Sequence, residues 1–364
     1  MGPGGTEEGM TVYGVHASHE QLHPSDLLAA VAKAERLGFT AAMSSDHFSP
    51  WSARQGHSAF AWSWLGAALQ ATDLPFGVVN APGQRYHPAI IAQAISTLGA
   101  MFPGRFWAAL GSGEASNEHI TGDPWPRKDL RNARLRECVD IIRALLAGEE
   151  VSHQGLVTVD RARLWTRPEV EPALVGAAVS EETARWCASW ADGLITVGAP
   201  VEKLRRMIDA YRDAGGRGPI NLQIHLSWAE TSEEAEAIAL DQWRSNVFDP
   251  PVCWDLDMTD HFDVVSEEVG IDQVRRVVNV SSDLGQHTAW LAEYAALGVD
   301  GIYLHHVGQD LDPFLDAFGA KVLPQLDVTK APEARSLHEK PEEAGAPGGL
   351  PSGEGPQPTG QPVD

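Results

Sequence analysis

Residues 11–47 read TVYGVHASHEQLHPSDLLAAVAKAERLGFTAAMSSDH, and this stretch decides the fold. Thr11–Ala17 is a short apolar run of strand character. His23–Gly38 has a helical period: Leu27, Leu28, Val31, Ala34 and Leu37 share one face, and Gly38 is a natural stop. Phe39–Ser45 returns to strand. Strand, helix and strand in this order form a βαβ unit, whose strands run parallel in one sheet.

The same alternation continues outward from that unit. Helical periods are expected over Ser58–Thr72, His87–Phe102 with Pro88 in its first turn, Lys128–Glu150, Ser180–Ala191 with Ser180 as N-cap, Val201–Gly215, Ser232–Val247, Asp283–Gly298 and Asp312–Leu326. Short apolar runs fall at Leu74–Ala81, Arg105–Gly113, Ala173–Val179, Gly193–Gly198, Ile220–Ala229 and Gly301–Val307. Two segments interrupt the rhythm. Val151–Arg167 reads as a hairpin insertion after helix 4, and Phe248–Asp272 as an irregular, acidic insertion after helix 7. Eight strand–helix repeats predict an α/β protein, a parallel sheet with helices outside, and eight is the number that closes a TIM (β/α)8 barrel. A doubly wound open sheet is the alternative. Residues 11–326 form the expected barrel domain. Residues 1–10 read as an N-terminal extension, and residues 327–364 as a disordered Pro/Gly-rich tail, too poor in apolar side chains to offset the entropy of ordering.

The chain of 364 residues carries 27 Lys and Arg against 50 Asp and Glu, a formal charge of −23. That balance argues against a nucleic acid or an anionic membrane as partner, since both need a basic face. The three cysteines, Cys138, Cys187 and Cys253, are widely spaced and form no C-x-x-C, so neither a disulfide framework nor a zinc knuckle is expected. No apolar run reaches the roughly 18 residues of a membrane span, and no signal peptide is evident, so a cytoplasmic location is expected.

In such a barrel the chemistry belongs at the C-terminal ends of the strands. There strand 1 runs into His16, Ser18 and Glu20, strand 2 into Ser45-Asp46-His47, strand 3 into Asn80, and strand 4 into Gly113-Glu114 with Asn117 close behind. Thr196, His225 and His305-His306 follow on later strands. A carboxylate beside an imidazole can set its tautomer and raise its basicity, but adjacent strand residues point opposite ways, so Asp46 need not touch His47. Glu20 and Glu114 are two further carboxylates at the same rim, and one of them with a raised pKa is suited to act as general acid beside His47 as base. Trp51, Trp62 and Trp64 fall near this rim, where aromatics can wall a planar ligand. Gly111–Asn117 starts like a dinucleotide fingerprint but lacks its third glycine, and there is no phosphate-binding P-loop, nucleophile elbow or H-E-x-x-H. His305 and His306 are neighbours on one strand and cannot both face one metal; no metal site is expected.

At these residues the sequence resembles the luciferase-like (bacterial luciferase-type) flavin oxidoreductase superfamily, and within it the branch of deazaflavin-dependent glucose-6-phosphate dehydrogenases. The matching stretches are Ala17–Gln21 (ASHEQ), Ser45–Trp51 (SDHFSPW), Arg85–Ala89 (RYHPA), Gly111–Glu118 (GSGEASNE) and, more faintly, Ala191–Ile195 (ADGLI). The resemblance implies a TIM barrel with a flavin-type ring in its mouth and a cis non-prolyl peptide behind the ring near Val78, Val79 and Asn80. It implies that Asp46 contacts the cofactor, that His47 accepts or shares a substrate hydroxyl proton, that Trp51 and Glu114 stabilise the reacting centre, and that Glu20 orients ligand. It also implies cofactor contacts at Gly113 and Asn117, and cofactor phosphate at the backbone of Ala177, Ala178, Val179 and Ser180. The chain departs from the sugar-phosphate enzymes: Pro200 and Val264 stand where that branch has lysines, Arg275 or Arg276 stand near a third basic position, and Ala178 and Val179 replace glycines. The implied reading is an FMN-dependent oxidoreductase or monooxygenase of a sister group, acting on a small organic substrate as a homodimer, with a flavin reductase supplying reduced flavin. The alternatives are a dehydrogenase using the deazaflavin coenzyme F-420 on an alcohol or sugar hemiacetal, and a non-catalytic flavin-binding barrel.

Overall fold

The computed structural model describes residues 11–326; the expected N-terminal extension and Pro/Gly-rich tail lie outside the described residues. Eight strands form the barrel: β1 (Val12–Ala17), β2 (Ala41–Ser45), β3 (Phe76–Asn80), β4 (Phe106–Leu110), β5 (Ala173–Ala177), β6 (Gly193–Val197), β7 (Ile220–Ser227) and β8 (Gly301–His306). Each pairs in parallel with the next, and β8 pairs with both β7 and β1, so the sheet closes on itself. This is the closed TIM barrel and excludes the open sheet.

Helices alternate with the strands: α1 (Pro24–Arg36), α2 (Ala61–Ala71), α3 (Pro88–Met101), α4 (Lys128–Leu146), α5 (Glu181–Cys187), α6 (Val201–Asp213), α7 (Ser232–Trp243), α8 (Leu284–Ala295) and α9 (Asp312–Lys321). His23 and His87 cap α1 and α3, each followed by a proline that needs no hydrogen-bond partner at the first turn. Leu27, Val31 and Ala34 of α1 are buried against the barrel, as their spacing requires.

Strand alternation divides the core in two. Outward residues such as Val15, Val78, Leu222 and Leu304 pack under the helices. Inward residues Ala41, Met43, Ala109, Val175, Ile195 and Tyr303 fill the barrel itself. Its lower half is plugged by Trp107 and Tyr303, with ring centroids 5.9 Å apart. Gly77 makes room for that plug: a Cβ there would lie 2.0 Å from Trp107 Cζ2. The barrel's cavity accordingly lies at the C-terminal ends of the strands.

The first insertion is a hairpin of Val151–Gln154 and Thr158–Ala162, as expected. The second is not irregular. It holds three short helices, Val252–Asp255, Thr259–Val265 and Ile271–Val274. Each is too short to show a full apolar period in the sequence, and tertiary contacts fix them: Phe262 packs edge-on against Trp51 with centroids 5.2 Å apart, and Asp263 accepts from Ser52 Oγ at 2.6 Å and from the Ala53 N–H at 2.9 Å. Among the described residues the one cis peptide is Pro250–Pro251, so the peptides around Val78–Asn80 are trans, contrary to the expectation. No helix among the described residues is long and apolar enough to cross a membrane.

Candidate active site

A cavity of about 400 Å³ occupies the barrel mouth, within the size range of small-molecule sites. Its walls come from the exits of all eight strands and from the second insertion. Of the candidates, Glu20, Asp46, His47, Trp51, Val79, Asn80, Gly113, Glu114, Asn117, Ala177, Ala178 and Val179 line it. Val78 and Ser180 do not. Val78 points outward into the helix-facing core, because it alternates with Val79. Ser180 caps α5, its hydroxyl accepting from the Thr183 N–H at 3.2 Å.

The centre of the site is His47. Its Nδ1 lies 2.6 Å from Glu20 Oε1, and Glu20 Oε2 accepts from Ser18 Oγ at 2.7 Å. Its Nε2 lies 3.9 Å from Glu114 Oε2, and Trp51 stands edge-on to the ring at 5.5 Å. Glu20 is thus the orienting partner of His47, which the resemblance had assigned to ligand. Burial disfavours the imidazolium, but the attraction of Glu20 and the hydrogen bond that His47 donates to it, with help from Glu114, hold the His47 pKa above its ordinary value. Burial would raise Glu20, but His47 and the Ser18 hydroxyl keep it below the usual carboxylate range. Glu114 accepts only a long hydrogen bond from Asn117 Nδ2 at 3.3 Å, and burial, helped by the nearby Glu118 and Glu20, holds its pKa up.

Asp46 points away from His47. Its Oδ2 accepts from Asn80 Nδ2 at 2.9 Å, and Arg85 Nη2 reaches its backbone oxygen at 2.7 Å and its Oδ2 at 3.4 Å. Arg85 in turn meets Glu118: its backbone N–H donates to Oε2 at 2.7 Å and its Nε lies 3.7 Å from Oε1. Asn117 Oδ1 accepts from the Phe48 N–H at 2.8 Å, tying the loop after β4 to the loop carrying His47. Gly113, with φ of 84°, allows the turn that brings Glu114 and Asn117 over the cavity.

Several wall residues were noted in the sequence as polar strand ends but given no role. His16, His225 and His305 line one arc with Gln223 and Trp243. His16 and His305 stack at 4.4 Å, and Gln21 Oε1 lies 2.7 Å from His305 Nε2. Burial draws His16 down to about 3 and His225 to about 4, so this arc is polar and uncharged near neutral pH. Strand periodicity alone could have found it, since every second residue faces inward. His306 points outward and stacks on Phe314 at 5.0 Å. Trp62 and Trp64 are core residues packed on Phe106 and Phe76, away from the cavity.

The basic positions also resolve. Pro200 is the N-cap of α6, Val264 is exposed, and Arg275 pairs with Glu236 at 2.6 Å; none of them lines the cavity. Val277 lines it instead, and the cations there are Arg85, Lys128 and Lys203.

A flavin-type ring fits these walls. Among the described residues, Asp46 Oδ1, Asn80 Oδ1 and Thr196 Oγ1 are buried without hydrogen-bond partners, and all three residues line the cavity. Unanswered acceptors beside apolar strand ends suit a planar ring edge that alternates N–H and C=O groups.

Comparison with known proteins agrees with this geometry. The luciferase-like monooxygenase family model matches residues 9–301. The chain is 34% identical to an F420-dependent glucose-6-phosphate dehydrogenase of Intrasporangium calvum, over 87% of this chain and 99% of that one. It is 33% identical to the enzyme of the same name from Microbacterium testaceum, over 86% and 97%. Its structure resembles an F420-dependent secondary alcohol dehydrogenase solved with an F420–acetone adduct, with a TM-score of 0.80 and 28% identity, covering 86% of this chain and 98% of that one. With the barrel, its strand-end histidine and these relatives in agreement, the chain belongs to the luciferase-like monooxygenase family and is an oxidoreductase.

Proposed function

We propose that this protein is an F420-dependent dehydrogenase that oxidises an uncharged alcohol or sugar hemiacetal. The observation that carries the reading is the Glu20–His47 pair at the cavity wall, an imidazole oriented by a buried carboxylate with its Nε2 left toward Glu114 and Trp51. Oxidising a carbinol removes a hydroxyl proton and a hydride. The bound deazaflavin supplies the hydride acceptor. His47 takes the hydroxyl proton at Nε2, and Glu20 stabilises the imidazolium that forms. Glu114, held up in pKa by burial, hydrogen-bonds the reacting oxygen, and Trp51 keeps water from that side. Asp46, Asn80 and Thr196 hold the ring edge of the cofactor. The uncharged arc of His16, Gln223, His225 and His305 suits hydroxyl groups, and with Val277 on the same wall it offers no cation for a phosphorylated substrate.

A second reading, FMN-dependent oxidation with a reductase partner, is favoured by Ala178 and Val179, whose side chains narrow the approach to the β5 exit. One experiment separates the two. The purified protein is denatured, the released chromophore identified by absorption and mass, and oxidised F420 then offered with a panel of alcohols and sugars. Loss of the oxidised coenzyme's visible absorbance, abolished in His47→Ala with coenzyme affinity retained, supports the dehydrogenase. Binding of FMN alone sinks it.

A further inference from the structure

The cavity holds a cation, Lys128, that makes no salt bridge among the described residues. Lys128 opens α4, and its Nζ reaches back to Ser112 Oγ at 2.7 Å and sits 4.5 Å from the centre of the Trp254 ring. Ser112 and Trp254 both line the cavity. Among the described residues no carboxylate oxygen pairs with Lys128. An ammonium taken partly out of water, with a hydroxyl, an aromatic face and only the more distant charge of Glu114 to answer it, is under-compensated. Burial lowers its pKa to about 8, which still leaves it protonated at neutral pH.

Its position is specific. Ser112 follows β4, which pairs with β5 through Leu110 and Gly176. A Cβ on Gly111 would touch Ala177 at 3.6 Å. Lys128 therefore stands beside the β5 exit, where the sequence resemblance placed cofactor phosphate. The helix that follows that exit does not meet an anion itself. Ser180 already answers the Thr183 N–H, and Glu181 and Glu182 occupy the first turn of a seven-residue helix. Arg206 is committed to Glu181 at 2.9 Å.

We propose that Lys128 is a cationic ligand for the phosphate group on the side chain of the flavin-type cofactor, supplying from α4 a charge at the β5 exit, where Lys203 of α6 lines the other side of the turn. This rests on the reading that the cavity binds such a cofactor. FMN, a phosphomonoester, and F420, a phosphodiester, share that chemistry.

The test is binding. The apo full-length chain, its Lys128→Met variant and its Lys128→Arg variant are titrated by fluorescence with two pairs: F420 against its phosphate-free deazaflavin chromophore, and FMN against riboflavin. Circular dichroism and a thermal melt accompany each variant. In whichever pair the wild type binds, Lys128→Met should weaken the phosphorylated member by about 10- to 100-fold, the scale of a charge-assisted hydrogen bond. The phosphate-free member should change less than about twofold, and Lys128→Arg should recover most of the loss. Equal weakening of both members would show that Lys128 only packs on Trp254, and no weakening would show that it meets no anion; either overturns the proposal while the dehydrogenase or FMN reading stands. If the wild type binds no member of either pair, the cofactor reading falls and this inference falls with it. A variant that fails to fold is replaced by raising salt on the wild type, which should weaken the phosphorylated member selectively.

Discussion

Glu20 Oε1 lies 2.6 Å from His47 Nδ1, a contact between side chains 27 positions apart that joins the loop after β1 to the loop after β2. It makes His47 more basic than a free imidazole and fixes which ring nitrogen faces the cavity.

As the base, His47 must be neutral to accept a proton. Its pKa is held above 6.5, so kcat/KM should climb with pH and level off above that value. In Glu20→Gln the carboxylate is lost and burial dominates, so the His47 pKa falls. The acid limb should then move to lower pH and the plateau should drop by about 10²-fold or more. A pH–rate profile of both proteins checks this, and an unmoved limb would remove Glu20 from its role.

Arg85 is nearly inaccessible and stands between two buried carboxylates, Asp46 and Glu118. Arg85→Met leaves Asp46 without its counter-charge and Glu118 with only the more distant Arg134. Stability should fall by about 3–5 kcal/mol. Urea unfolding at neutral pH measures it, and a loss under about 1 kcal/mol would show that other groups neutralise the pair.

Gly77 tests the barrel plug. Its replacement by Ala drives a methyl into the Trp107 ring, which already packs on Tyr303. The cost should be about 1–3 kcal/mol, read as a lowered Tm. Gly77→Ala combined with Trp107→Phe should recover part of the loss, because the smaller ring makes space for the methyl.

The uncharged arc predicts selectivity. A neutral alcohol or sugar should exceed its phosphate ester in kcat/KM by at least about 10-fold. Val277→Arg, which places a cation beside that arc, should narrow the ratio chiefly through the KM of the ester. Preference of the wild type for the ester would contradict an uncharged substrate site.

The eight-fold alternation was legible from sequence because each element buries one face, and burying a face leaves a period in the chain. Period also determined that His16, His225 and His305 share the inside of the barrel with Tyr303, and that His305 and His306 part company. The clustering of Glu20, His47, Trp51 and Glu114 at strand exits was legible for the same reason. What those residues do to one another was not. Tertiary structure alone decided that Glu20, and not the adjacent Asp46, orients His47, that Arg85 meets Asp46 and Glu118, and that Lys128 reaches Ser112 in the cavity wall. Such contacts depend on the stagger between neighbouring strands and on where their loops turn, which are properties of the closed sheet and leave no local period in the sequence. The helices of the second insertion belong to the same class: none is long enough to reveal itself, and Thr259–Val265 is held by what it touches across the barrel mouth.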